Sequence, residues 1–362
     1  MPDHAARLDR LRGLMADSGD DVALLSVGAD LPYLTGYEAM PLERLTMLVV
    51  PGDGEPTLVV PRLEAPRVDD PSGAFVVRAW DETEDPVAIV AGLVPGAGRA
   101  RIGDTTWSVF LLGLQAALPG MEFAPASGLM RRLRVRKDIE EVARLREAAA
   151  AADRAMGRLD EVQFSGRTER SLSHLIGEML LDEGHDEVSF AIVASGPNGA
   201  SPHHEPGDRV VEVGDTVVVD FGGRRAGYCS DTTRTFQVGE PPVPVVEAFA
   251  VLEEAQRAAV DAVRPGIEAQ EVDLVARRII ADAGLGEHFI HRTGHGIGME
   301  THEHPYLVEG NDEVLEPGMA FSVEPGIYVP GAFGMRIEDI VVVTDSGVEA
   351  LNRTEHGLHH VH

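Results

Sequence analysis

Apolar runs broken by turn-forming residues fill the first third of the chain. Residues 22–27, 45–50, 57–60 and 75–79 read as strands, and residues 5–18 and 106–117 carry apolar positions at helical spacing. The acidic and basic side chains of this part are scattered as on a solvated surface. The pattern changes near residue 130. Residues 130–137 are basic, and residues 138–159 set apolar side chains among Ala, Glu and Arg at helical spacing. They predict a crossing segment and a long amphipathic helix. A helix over 169–183, strands between 190 and 236, two helices within 244–283 and strands from 319 to 343 follow. The expected architecture is a smaller α/β domain over residues 1–128 and an α+β domain over residues 129–362. Residues 356–362 read as a ragged tail after the last strand.

Composition narrows the setting. Of 362 residues 44% are hydrophobic, ample for two cores. The single cysteine, Cys229, excludes an intrachain disulfide and points to a reducing, cytoplasmic environment. No signal peptide is expected, because the first residues mix both charge signs, and no apolar run is long enough to span a bilayer. Against 31 basic residues stand 60 acidic ones, a net charge of −29. Such a field argues against nucleic acid and anionic membranes as partners and suits divalent cations. Lys137 is the only lysine, a bias to which the sequence attaches no chemistry.

Chemistry concentrates in the second domain. In VVVDFGGRRAGYCSDTTRTF, residues 217–236, two β-branched stretches flank a glycine-containing centre, as in a hairpin. Asp220 and Asp231 lie symmetrically about that centre and are expected opposite one another, or nearly so. Aspartate is a poor strand former, and two half-buried carboxylates that close repel unless a cation lies between them. The arrangement recurs in FSVEPGIYVPGAFGMRIEDIVVV, residues 321–343, where Glu324 and Glu338 flank Gly331. Between the hairpins, FIHRTGHGIGMETHEHPY carries His295 among Gly294, Gly296 and Gly298, which predict a tight loop rather than a helix. No HExxH zinc motif is present, since Pro305 interrupts His302-Glu303-His304. Four carboxylates and one imidazole suit Mn²⁺, Co²⁺ or Zn²⁺, and four carboxylates exceed what one ion requires.

At this point the chain resembles the pita-bread metallopeptidases, the group of methionine aminopeptidase, aminopeptidase P and prolidase. VVVDFGG, SDTTRTF, GHGIGMETHE, SVEPGIY, MRIED and the upstream VASGPNGASPHH carry the resemblance, and YLTGYEA at 33–39 is similar to the creatinase-like N-terminal domain of the aminopeptidase P and prolidase branch. The resemblance implies two divalent ions, with Asp220 on one, Asp231 and Glu338 bridging, and His295 and Glu324 on the other. It implies that His203 and His302 contact the substrate carbonyl or the tetrahedral intermediate, and that Glu324 carries a proton to the leaving nitrogen. Phe190 would wall the proline ring, while His291 and Arg336 would line or brace the site. His204 and His304 receive no role. A homodimer is expected on the same ground.

Four alternatives share the fold. Creatinase-type enzymes work without metal and lack the ligand set, and non-catalytic modules of this fold have lost ligands; this chain keeps all five. Methionine aminopeptidases usually lack the N-terminal domain. Prolidases, which take dipeptides, often place an arginine after the His-Glu-x-Pro segment, where this chain has Tyr306. The expected activity is therefore Xaa-Pro aminopeptidase-like, with Xaa-Pro dipeptidase as the alternative.

Overall fold

The computed structural model describes residues 3–70 and 72–362. Met1, Pro2 and Pro71, which the sequence reading places in the first domain, lie outside the described residues. The chain forms two compact units, one ending at Arg134 and the other spanning Val135–His362. The expected boundary at 128/129 falls inside a helix, Ser127–Arg134, that belongs to the first unit.

The first unit contains α1 (His4–Ser18), β1 (Val22–Leu25), α2 (Asp30–Thr35), β2 (Met47–Pro51), β3 (Thr57–Pro61) and β4 (Val76–Trp80). It continues with α3 (Pro86–Gly92), β5 (Ala97–Ile102), α4 (Ser108–Ala117), β6 (Gly120–Pro125) and α5 (Ser127–Arg134). Its mixed six-stranded sheet runs β4-β3-β2-β1-β5-β6. The apolar face packs Val22, Leu24, Met47, Val49 and Val59 against Trp80, Val90 and Leu114. The short helices α2 and α3 and the strands β5 and β6 escaped the sequence reading. β5 carries two arginines and a glycine, and only two of its six residues are buried, so it lacks an apolar run.

The second unit opens with α6 (Ile139–Arg158), whose start is set by a capping box between Asp138 and Glu141. α7 (Glu169–Asp182), β7 (Glu187–Ser195), β8 (Thr216–Arg225), β9 (Tyr228–Cys229) and β10 (Thr232–Val238) form its first half. α8 (Val243–Ala262), α9 (Ala269–Asp282), β11 (Gly294–Gly296), β12 (Glu303–Leu307), β13 (Ala320–Val323), β14 (Gly326–Val329), β15 (Phe333–Arg336), β16 (Asp339–Val343), β17 (Val348–Ala350) and β18 (His359–Val361) form the rest. One sheet runs β18-β10-β8-β7, a second runs β12-β11-β13-β16-β17, and β14 pairs with β15. α6 and α7 share one core with the first sheet, including Phe164, Leu172, Val217 and Phe236. α8 and α9 share another with the second sheet, including Phe249, Val272, Phe321 and Val341. Each half is thus a sheet backed by a helix pair, and each contributes one carboxylate hairpin. The tail is ordered rather than ragged: Phe236–Val238 pair with 359–361 in parallel, and Phe164 and Ser165 N–H groups donate to His362 O. Among the described residues no helix is long and apolar enough to cross a membrane.

Candidate active site

The first hairpin turns on Ala226-Gly227, both with positive φ (50° and 83°), as a two-residue type I′ connection requires. Arg224 pairs with Cys229 and Asp220 with Thr233. Asp220 therefore does not face Asp231 directly. Asp231 lies two residues before Thr233, on the same face because strand side chains alternate with period two. In the second hairpin Val323 pairs with Asp339 and Gly326 with Arg336, so Glu324 falls opposite Glu338. The hairpins join where Thr233 bridges Glu338: the Glu338 N–H donates to Thr233 O at 3.1 Å, and Thr233 Oγ1 donates to Glu338 Oε2 at 2.7 Å.

His295 occupies the short strand β11, not the loop expected from its glycines. Those glycines are needed because neighbouring backbones come too close for a Cβ. A Cβ on Gly294 would lie 1.9 Å from Ser322 O, and one on Gly296 2.1 Å from His304 O. The His295 N–H donates to Ser322 Oγ at 3.1 Å, and the Glu324 N–H to Thr293 O at 2.7 Å, which fixes β11 beside the glutamate hairpin.

All ten residues singled out in the sequence line one cavity of about 680 Å³, together with Ser189, Ile192, Pro202, Arg292 and Thr301. Asp231, His295 and Glu338 offer ligand atoms within 4.8 Å of one another. Burial pushes the Asp231 and Glu338 carboxyls well above their ordinary range, and the neighbouring carboxylates push them further. Burial raises Glu324 to about 7. Burial, then the nearby His302, holds His295 down to about 3, so its imidazole is neutral. Its Nδ1 faces Gly296 O at 3.1 Å and must carry the proton. Nε2 then presents a lone pair toward Glu324 Oε1 at 3.3 Å and Asp231 Oδ2 at 3.6 Å. Lone pairs facing lone pairs in a buried site call for a cation. Asp220 Oδ1 and Glu338 Oε1 are likewise buried with no hydrogen-bond partner among the described residues, an arrangement that fits metal ligation.

His291 and Arg336 line the cavity, but their polar atoms are engaged within the protein. Arg336 donates to Asp220 Oδ2, to Thr233 Oγ1 at 3.1 Å and to the Tyr328 hydroxyl at 2.8 Å. Tyr328 in turn bonds His291 Nε2 at 2.8 Å, and His291 Nδ1 donates to Arg292 O at 2.7 Å. This chain braces Asp220. His203 and His302 are exposed at the cavity wall, and the His302 ring meets His295 edge-on at 4.2 Å between centroids. His204 turns away to Glu169, and His304 packs on Tyr306.

The carboxylates give the site a pH signature. Asp231, Glu324 and Glu338 have folded-state pKa values above the unfolded ones, so folding takes up protons as pH rises past about 4.3. The stability they contribute is complete below that pH and is lost as pH rises through the folded values, about 7 for Glu324. A bound cation favours the charged forms and offsets this loss. In thermal melts of chelator-treated protein, added Mn²⁺ should therefore raise Tm more at pH 7.5 than at pH 5. Equal increments would count against a carboxylate-held ion.

Comparison with known proteins decides the family. The metallopeptidase family M24 pattern matches residues 143–345, and the creatinase/prolidase N-terminal domain matches residues 7–136. The chain belongs to metallopeptidase family M24. Among M24 relatives, the Xaa-Pro dipeptidase of Lactobacillus helveticus is 40% identical over 97% of this chain and 98% of its own. The crystal structure of dipeptidase PepE from Mycobacterium ulcerans is 46% identical, with a TM-score of 0.93 over 99% of this chain and 98% of that one. The prolidase of Thermococcus sibiricus is 38% identical, with a TM-score of 0.94 over the whole of both chains. The pita-bread domain and its creatinase-like N-terminal partner follow, as does the divalent metal dependence that the M24 family implies.

Three residues of this M24 site escaped the sequence reading. Arg292 reaches the cavity, Tyr328 joins Arg336 to His291, and Glu169 holds the segment that carries His203. Arg292 had one visible signal, a cation beside His291 in a strongly acidic chain. Tyr328 and Glu169 had none, because Tyr328's link to His291 spans 37 residues and Glu169's partners lie 26 to 38 residues away.

Proposed function

We propose that the chain is an Xaa-Pro dipeptidase working with two divalent ions, Mn²⁺ foremost, with Co²⁺ and Zn²⁺ as alternatives. Asp220, Asp231, His295, Glu324 and Glu338 would hold them. The observation that carries this reading is the buried cluster in which Glu324 and Asp231 oxygens face the His295 lone pair, while Asp220 Oδ1 and Glu338 Oε1 have no hydrogen-bond partner among the described residues. Bound there, divalent ions acidify water to hydroxide near neutral pH and polarise a carbonyl. Within the chain, Glu324 is a carboxylate on the cavity wall that can take and return a proton, as transfer to the departing proline nitrogen requires. His203 and His302 reach the cavity to hydrogen-bond the carbonyl oxygen, and Phe190 offers an apolar wall for the proline ring.

Arg292 supports dipeptides over longer chains. Tyr306 stands where an arginine often holds the free carboxylate, which favours the aminopeptidase reading. The Arg292 guanidinium lies over the Tyr306 ring, 4.3 Å from its centroid, and forms no ion pair among the described residues. It supplies from another position the cation that a dipeptide's terminal carboxylate needs. Arg292→Ala should lower kcat/KM for an Xaa-Pro dipeptide about 10- to 100-fold, mostly through KM, the worth of one charged hydrogen bond. An Xaa-Pro amide, which has no carboxylate, should be unaffected; equal losses on both would remove Arg292 from this role. Cleavage of longer Xaa-Pro peptides is the second reading, favoured by Tyr306. Comparing Xaa-Pro with Xaa-Pro-Yaa under each metal tests the choice, and rapid tripeptide cleavage without dipeptide cleavage would reverse it.

The reading includes a cytoplasmic homodimer, for which the exposed Val109 and Leu112 on α4 offer apolar surface. Light scattering in solution checks it.

A further inference from the structure

Glu169, the first residue of α7, lies outside the cavity and is completely buried. Its Oε1 accepts the Ser195 N–H at 2.9 Å, Ser195 Oγ at 2.7 Å and Asn198 Nδ2 at 3.0 Å. Its Oε2 accepts His204 Nε2 at 2.7 Å and the Gly207 N–H at 3.2 Å. These donors come from both ends and the interior of residues 195–207, the segment whose Pro202 and His203 line the cavity. Burial alone would raise the carboxyl; hydrogen bonds from Ser195, His204 and Asn198 hold it below the ordinary range, so it stays charged. On its other side the segment seats on the glutamate hairpin, where a Cβ on Gly199 would lie 2.8 Å from Gly334 N. His203 makes no hydrogen bond of its own among the described residues. The backbone on either side therefore sets where its imidazole points.

We propose that Glu169 is the positioning residue for His203, fixing the Pro-His segment so that this imidazole meets the substrate carbonyl. The proposal rests on the catalytic part assigned to His203 above. Glutamine at 169 cannot substitute. Two backbone N–H groups, of Ser195 and Gly207, point at different oxygens and cannot invert, so an amide turned either way sets its NH₂ against one of them. The predicted defect is a misplaced His203 with the metal ligands untouched.

The test is a double-mutant cycle on the metal-loaded full chain, measuring kcat, KM and metal content for Glu169→Gln, His203→Ala and the double variant. Glu169→Gln should lower kcat about 10- to 100-fold with metal content unchanged. In the His203→Ala background the same change should cost less than about twofold, because its route of action is gone. A merely structural role would give the same factor in both backgrounds and would overturn the proposal. Full activity in His203→Ala would overturn both the proposal and the role of His203. An impaired His203→Ala with an independent Glu169→Gln loss would overturn the positioning alone. Should Glu169→Gln fail to fold, His204→Ala replaces it in the cycle. It removes one donor and keeps the carboxylate, and its expected loss of a few-fold must likewise vanish when His203 is absent.

Discussion

Asp231→Asn should fold normally and lose about a thousandfold or more in kcat. Asparagine keeps the shape but removes the charge of a side chain that lies, 4% exposed, among Glu338, Asp220 and Glu324. Several kcal/mol of metal-borne stabilisation depend on such a ligand, and each 1.36 kcal/mol is about tenfold in rate. The same change relieves repulsion in the metal-free protein. Chelator-treated Asp231→Asn should therefore melt no lower than the parent, while the rise in Tm on adding Mn²⁺ shrinks. That pair of results separates a lost ligand from a lost fold. A variant keeping a tenth of the parental kcat would show that Asp231 is not a ligand.

The largest expected effect on stability lies directly behind the site. Arg234 is fully buried and all its donors are engaged. Nε donates to Glu355 O at 2.9 Å, Nη1 to Thr233 O at 2.8 Å and Glu338 O at 2.7 Å, and Nη2 to Asp339 Oδ1 at 2.7 Å and Thr354 O at 2.8 Å. It ties the aspartate hairpin, the glutamate hairpin and the C-terminal tail at one point. Arg234→Met leaves the buried Asp339 carboxylate with only Gln256 and His356 as donors. An uncompensated buried charge costs about 3–5 kcal/mol, a fall of about 10 °C in Tm for a unit of this size. Arg234→Met with Asp339→Asn should recover part of the loss in thermal unfolding, because the stranded charge is removed. A single variant within about 2 °C of the parent would contradict the account.

How much of this was readable in the chain depends on the range of the interactions. The glutamate pair was legible because its hairpin is symmetric about Gly331, with one register on both sides of the gap. The aspartate pair was legible as a shared face but not as a register, since the turn falls at Ala226-Gly227 and sets Asp220 against Thr233. His295 was found by its glycines, though they admit the carbonyls of Ser322 and His304 beside a strand rather than bending a loop. Arg292, Glu169 and Arg234 were not legible, because each draws its meaning from partners that only folding brings near. The tail misled for the same reason: its histidines look unpatterned until His356 meets Asp339 and β18 joins β10. Lys137 acquires a structural reason. Its buried ammonium pairs with Glu303 at 2.6 Å, next to His302, where Gly298 leaves little room.

The central claim is that a metal held by this carboxylate cluster drives cleavage of an Xaa-Pro bond. Chelator-stripped protein titrated with Mn²⁺, with the initial rate of Xaa-Pro hydrolysis followed against metal bound, tests it most directly. The account predicts no hydrolysis without metal and a rate that saturates at about two ions per chain. Full hydrolysis in excess chelator, by protein shown to contain no metal, would contradict it.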